Sequence, residues 1–152
     1  MGRTTFAPLP DGTPVPFSYA DVEPLNEWDY KHFTGEDGTG GGGHRYDSTV
    51  PNATKFGASV QTLDELQAVQ TSALQNNRLS RHDPDRDNYI LRGLATVGGC
   101  HVVVDVVIDP NGEPVTVYPV NGDFVRKNDA AGRDGGSIPR DTSFLRYWTP
   151  NE

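Results

Sequence analysis

The stretch CHVVVDVVIDPNGEPVTVY, residues 100–118, decides the fold. Val102, Val104, Val106 and Ile108 alternate onto one face of a strand, and His101, Val103, Asp105 and Val107 onto the other. Valine on both faces marks a strand covered on both sides, hence one inside a sheet. Asp109-Pro110-Asn111-Gly112 is a turn signal, so the chain returns through Glu113–Tyr118 as an antiparallel hairpin. In the returning strand Thr116 and Tyr118 share one face, with Val115 and Val117 on the other.

Working upstream, Tyr89–Val97 is a third strand, and RLSRHDPDRDN (78–88) reads as a charged loop. TLDELQAVQTSALQN (62–76) is the best helix. Thr62 and Glu65 form a capping box, and Leu63, Leu66, Val69, Ala73 and Leu74 line one face. Leu25–Phe33 is a short helix carrying Trp28, expected as core or lid, and His32. Gly35–Gly43 follows, with six glycines in nine residues (Gly35, Gly38, Gly40, Gly41, Gly42 and Gly43), and delivers His44. Such a loop is flexible, and it also lets backbone N–H groups approach an anion closely. Residues 1–24, with Pro8, Pro10, Pro14, Pro16 and Pro24, read as an extended linker or arm and not as a packed element. Residues 25–152 read as the domain, α+β in class. The polar tail after Asn121 ends in FLRYW, expected to fold back onto the domain.

The chain is polar and acidic: 152 residues, 13 Lys and Arg against 21 Asp and Glu, net charge −8, mean hydropathy −0.60. Phosphate contacts come from Lys and Arg, so this charge is not that of a default nucleic-acid binder. A small basic cleft can nonetheless sit on an acidic body, and the acidic surface suits a basic protein partner. No apolar run reaches the ~18 residues of a membrane span, and the N-terminus has no secretory-signal pattern. The single cysteine, Cys100, forms no internal disulfide and reads as a buried, inert thiol. His82 and His101 read as solvated and half-buried side chains. Neither builds a zinc site with Cys100 at a usual ligand spacing. Asp83-Pro84-Asp85-Arg86-Asp87 lacks the glycine and final glutamate of a calcium loop.

His32 and His44 lie twelve residues apart and flank the glycine loop. RNA is cut by its own 2′-hydroxyl when one base takes the hydroxyl proton and one acid protonates the leaving 5′-oxygen. Two imidazoles suit both tasks near neutral pH, with no cofactor or metal required. A third group must steady the phosphate charge, and the Thr116 and Tyr118 hydroxyls share a face that could supply it.

KHFTGEDGTGGGGHRY (31–46), followed by STVPNATKF (48–56), resembles the start of bacterial EndoU domains. There a first histidine precedes a glycine-rich stretch ending in Gly-Gly-His, and a Pro-x-x-Thr-x-Phe segment follows; Pro51, Thr54 and Phe56 match it. VVVDVVIDPNGEPVTVYP (102–119) resembles the family's paired strands closing in Thr-x-Tyr-Pro. Two departures stand out: Phe56-Gly57-Ala58-Ser59-Val60 replaces the usual Phe-Pro-x-x-Trp, and Asp47 stands where glycine is common. An acid at Asp47 would raise the pKa of His44 or repel phosphate.

The resemblance implies a barnase-like (BECR) ribonuclease fold, with a short N-terminal helical part packed on an antiparallel sheet, and metal-independent transphosphorylation leaving 2′,3′-cyclic phosphate ends. His32 and His44 would be the acid–base pair, their order open, with Thr116 and Tyr118 as catalytic phosphate or base contacts. Gly42, Gly43, Arg45, Lys55 and Arg92 would bind substrate, though Arg45 could equally pair with Asp47; Tyr46 reads as a packing aromatic. It further implies RNA, tRNA included, as the substrate and a cognate immunity protein as partner. The domain would be a monomer when free and would not associate with membranes. Delivered within a larger polymorphic or contact-dependent toxin, it would act in the cytoplasm of a target cell. Two other readings stay open: an inert relative serving as a binding module, and a toxin of other chemistry such as an ADP-ribosyl transferase.

Overall fold

The computed structural model describes residues 5–38 and 42–148; Gly40 and Gly41 of the glycine loop lie outside the described residues. Among the described residues two α-helices, α1 (Glu27–Thr34) and α2 (Leu63–Gln75), accompany seven strands: β1 (Thr54–Lys55), β2 (Asn77–Asp83), β3 (Asn88–Val97), β4 (Cys100–Ile108), β5 (Pro114–Gly122), β6 (Arg126–Asn128) and β7 (Asp134–Ser137). The strands form two antiparallel sheets, ordered β2-β3-β4-β5 and β1-β6-β7. The class is α+β.

The inner position expected for β4 holds. One face of β4, Val102, Val104, Val106 and Ile108, joins Leu66, Val69, Ala73 and Leu74 of α2 in the core. Thr62 caps α2 by accepting from the Glu65 N–H, as the sequence motif requires. The β4–β5 hairpin turns through Asp109, whose carboxylate accepts from the N–H groups of Asn111 and Glu113.

Three expectations are corrected. Residues 78–88 are not a loop throughout: β2 runs to Asp83, and only the residues after it turn. The core-facing positions of this edge strand are polar, Asn77 and Ser80 being buried, so no apolar alternation betrays it. Val115 does not share the buried face of Val117, because a register shift between Val107 and Ile108 falls beside it and leaves it exposed. Nor is the N-terminal arm unpacked. Phe6 and Phe17 are buried in the core, their rings edge-on at 5.9 Å, and Phe17 meets Tyr89 of β3 at 5.7 Å. The Ala7 N–H donates to Asn77 Oδ1, and Gln70 of α2 bonds both the Leu25 N–H and the Glu23 carbonyl.

The tail folds back as expected. A short 3-10 turn, Thr142–Leu145, lies against β3 and β4. Trp148 inserts between two guanidiniums, Arg92 at 4.4 Å and Arg81 at 4.7 Å from its ring. No helix of the described residues is long and apolar enough to cross a membrane.

Candidate active site

Helix α1 places the first histidine. Asn26 caps it reciprocally with Asp29, and Gly35 ends it in the left-handed conformation at φ 84°. His32 falls in the last turn, and its Nδ1 lies 2.7 Å from the Asp37 carboxylate. The carboxylate orients the ring and complements the charge it carries when protonated.

Beyond the glycines the chain turns back onto α1. The Gly43 N–H donates to the His32 carbonyl (2.9 Å) and the His44 N–H to the Phe33 carbonyl (2.6 Å). At Gly42 φ is +68°, and a Cβ there would strike the His32 carbonyl oxygen. Only glycine permits this approach, which brings His44 close enough to His32 for the two rings to interact electrostatically.

His44 is fixed from a third side. Its Nδ1 donates to the Thr54 carbonyl at 2.6 Å, and its own carbonyl accepts from the Phe56 N–H at 2.9 Å. The Phe56 ring is buried against Phe33. Thr54 and Phe56 of the Pro-x-x-Thr-x-Phe segment therefore seat the second histidine, through backbone groups and a core anchor. With Nδ1 a donor, Nε2 of the neutral ring is left with the lone pair. Only part of the ring meets solvent, and the protein around it pushes the pKa down to about 4. Burial is the chief cause, opposed by the Thr54 carbonyl and aided by His32. The expectation that Asp47 would raise this pKa is corrected: the direction is downward, and Asp47 bonds Arg45 at 3.2 Å.

The His44 ring faces Tyr118 at 5.5 Å between centroids. Tyr118 and Thr116 sit opposite Asp105 and Val107 across β4, on the sheet face turned away from the apolar core. Helix α1 lies against β5, and of the two strand hydroxyl residues Tyr118 is the one whose ring meets His44. The Tyr118 hydroxyl is held protonated, its pKa raised by burial first and then by the Asp105 carboxylate, to which it also hydrogen-bonds.

From Tyr118 a cleft of about 500 Å³ extends along the sheet, lined by Thr54, Arg81, Arg92, Asp105, Lys127 and Phe144 among others. No family model, no curated protein and no solved structure matches the chain.

The remaining sequence candidates are distributed differently. Arg92 lines the cleft, but Asp105 matches its charge through two hydrogen bonds of 2.8 and 3.0 Å. Lys55 is buried, with its ammonium 4.0 Å from Asp134 of the smaller sheet. Arg45 pairs with Asp47 and packs over Tyr46. Trp28 is not in the core: it is 69% exposed, and Tyr46 is 41% exposed rather than packed. His82 meets Asp87 and the Tyr89 ring, and His101 meets Thr96, both away from the pair. Cys100 is buried and reduced. Among the described residues no cluster of His, Cys, Asp or Glu has the arrangement of a metal site.

Sequence reasoning missed Lys127 and Arg81. Lys127 pairs with Thr54 in register, so it stands across from the residue that holds His44, is exposed, and has no carboxylate partner among the described residues. Its strand is three residues long and shows no periodicity to find.

Proposed function

We propose that this chain is an endoribonuclease of the EndoU type, acting as a toxin domain with a barnase-like ribonuclease fold. The observation that carries the reading is the Gly42–His44 segment folded onto α1. It joins His32 and His44 and sets them beside the hydroxyl-bearing face of β5.

The two environments divide the roles. His44, neutral at physiological pH with its Nε2 lone pair available, takes the proton of the ribose 2′-hydroxyl. The 2′-oxygen attacks phosphorus, and the bond to the 5′-oxygen breaks. His32, backed by Asp37, donates its Nε2 proton to the leaving 5′-oxygen. The products are a 2′,3′-cyclic phosphate and a 5′-hydroxyl. Tyr118 beside the His44 ring, with Thr116 on the same strand face, is proposed to steady the phosphate, and Lys127 and Arg81 bring positive charge to the adjoining cleft. RNA, tRNA included, is the proposed substrate; a basic immunity protein is the proposed partner, given the −8 charge. The proposed setting is the cytoplasm of a target cell, reached as part of a larger toxin.

The test is incubation with total tRNA in EDTA, beside His32→Ala and His44→Ala, with end analysis of the fragments. Cleavage leaving cyclic phosphate, lost in both variants while they stay folded, supports the reading. Absence of cleavage favours an inert binding module, which the scarcity of positive charge would suit, and NAD consumption then tests transferase chemistry.

A further inference from the structure

Each histidine of the pair has, within four residues along the chain, an exposed aromatic ring with a cation over its face. Trp28, 69% exposed, lies one helical turn before His32 on the same side of α1, and the Lys31 ammonium sits 5.8 Å from its ring centre. Tyr46, 41% exposed, follows His44 by two residues, with the Arg45 guanidinium 5.4 Å from its ring centre. Neither ring contributes to the core cluster.

We propose that Trp28 and Tyr46 are stacking platforms for the unpaired bases flanking the cleaved phosphate, so that the substrate is single-stranded RNA. The inference rests on the ribonuclease reading of the histidine pair. Its argument begins with charge. A chain with eight more acids than bases gains little from counterion release along a phosphate backbone. Near the pair, Asp47 already bonds Arg45, Asp37 bonds His32, and Asp29 closes the helix cap. Stacking on aromatic faces adds affinity that this charge balance does not supply, and every base offers such a face. A base inside a duplex does not, because its faces are covered by its neighbours. Lys31 and Arg45 polarise the two rings from one side, and Lys31 adds positive charge beside Trp28.

The experiment uses the inactive His44→Gln chain with Trp148→Phe, which leaves Trp28 as the sole tryptophan. A short oligoadenylate and a blunt RNA duplex are titrated in at two salt concentrations. The expected result is quenching of Trp28 by the single strand, weakly dependent on salt, and none by the duplex. In the otherwise unaltered chain, Trp28→Ala should raise KM for single-stranded RNA about tenfold or more, with kcat held within about threefold and Trp28→Phe restoring most of the loss. Trp28 emission unchanged by the single strand, or equal binding of the duplex, overturns the proposal. So does an unchanged KM in Trp28→Ala. Cleavage without any Trp28 effect rejects the platforms and keeps the ribonuclease. Quenching without cleavage keeps the platforms and rejects the ribonuclease. Quenching by a protein partner while RNA has no effect assigns the surface to that partner instead.

Discussion

Arg92 of β3 and Asp105 of β4 stand opposite one another and share two hydrogen bonds, Nε to Oδ1 at 2.8 Å and a terminal nitrogen to Oδ2 at 3.0 Å, with side chains 1% and 2% exposed. This buried pair holds the floor of the cleft on which Tyr118 and Trp148 rest.

Breaking it on one side strands a charge in the sheet. Asp105→Asn or Arg92→Met is expected to cost about 3–5 kcal/mol in urea unfolding. The double variant Arg92→Met with Asp105→Leu should recover most of that loss, since no buried charge is left uncompensated.

His44 makes stability depend on pH. Its folded pKa is about 4 against an ordinary 6.5. Between those values the unfolded chain binds more protons, so stability falls as pH drops through that window and no further below it. The loss is up to about 3 kcal/mol. Urea midpoints at pH 7 and pH 4.5 should therefore differ more in the wild type than in His44→Gln. The acidic limb of the cleavage profile should also lie near pH 4, well below that of an exposed histidine.

Gly42→Ala forces a Cβ into the His32 carbonyl at a backbone angle few side chains adopt. The loop must move, and cleavage should fall about 100-fold or more, together with about 1–3 kcal/mol of stability. Gly38, also at positive φ but facing open space, provides the control. Gly38→Ala should cost about 1–2 kcal/mol of local strain while sparing most activity.

Tyr118→Phe removes a hydroxyl that stays protonated throughout the working range. If that hydroxyl meets the phosphate, kcat should drop about 100-fold with the pH limb set by His44 unmoved. An unchanged kcat would confine Tyr118 to packing against the His44 ring.

The hairpin β4–β5 and helix α2 were legible because their residues repeat at the strand and helix periods and their turn and cap are spelled out by Asp109-Pro110-Asn111-Gly112 and by Thr62 with Glu65. The histidine pair was legible from the glycines between its members. The edge strand β2 was not, since Asn77 and Ser80 face inward through hydrogen-bonding and small size rather than apolarity. Strands β1, β6 and β7 are two to four residues long and carry no period. Lys127 and Arg81 depend on pairing between distant segments. The exposure of Trp28 was hidden because it lies on the outward side of a helix too short to show two clear faces.

The buried Phe6 and Phe17 give the amino-terminal arm a mechanical meaning. Tension on whatever precedes Phe6 would run through its edge contact with Phe17 to Tyr89 in β3, the strand that also carries Arg92. The arm is anchored like a root and not tied on like a string: pulling it loose strips aromatic rings from the core beside β3. Detaching this segment would therefore uncover Tyr89 and the apolar core beside β3.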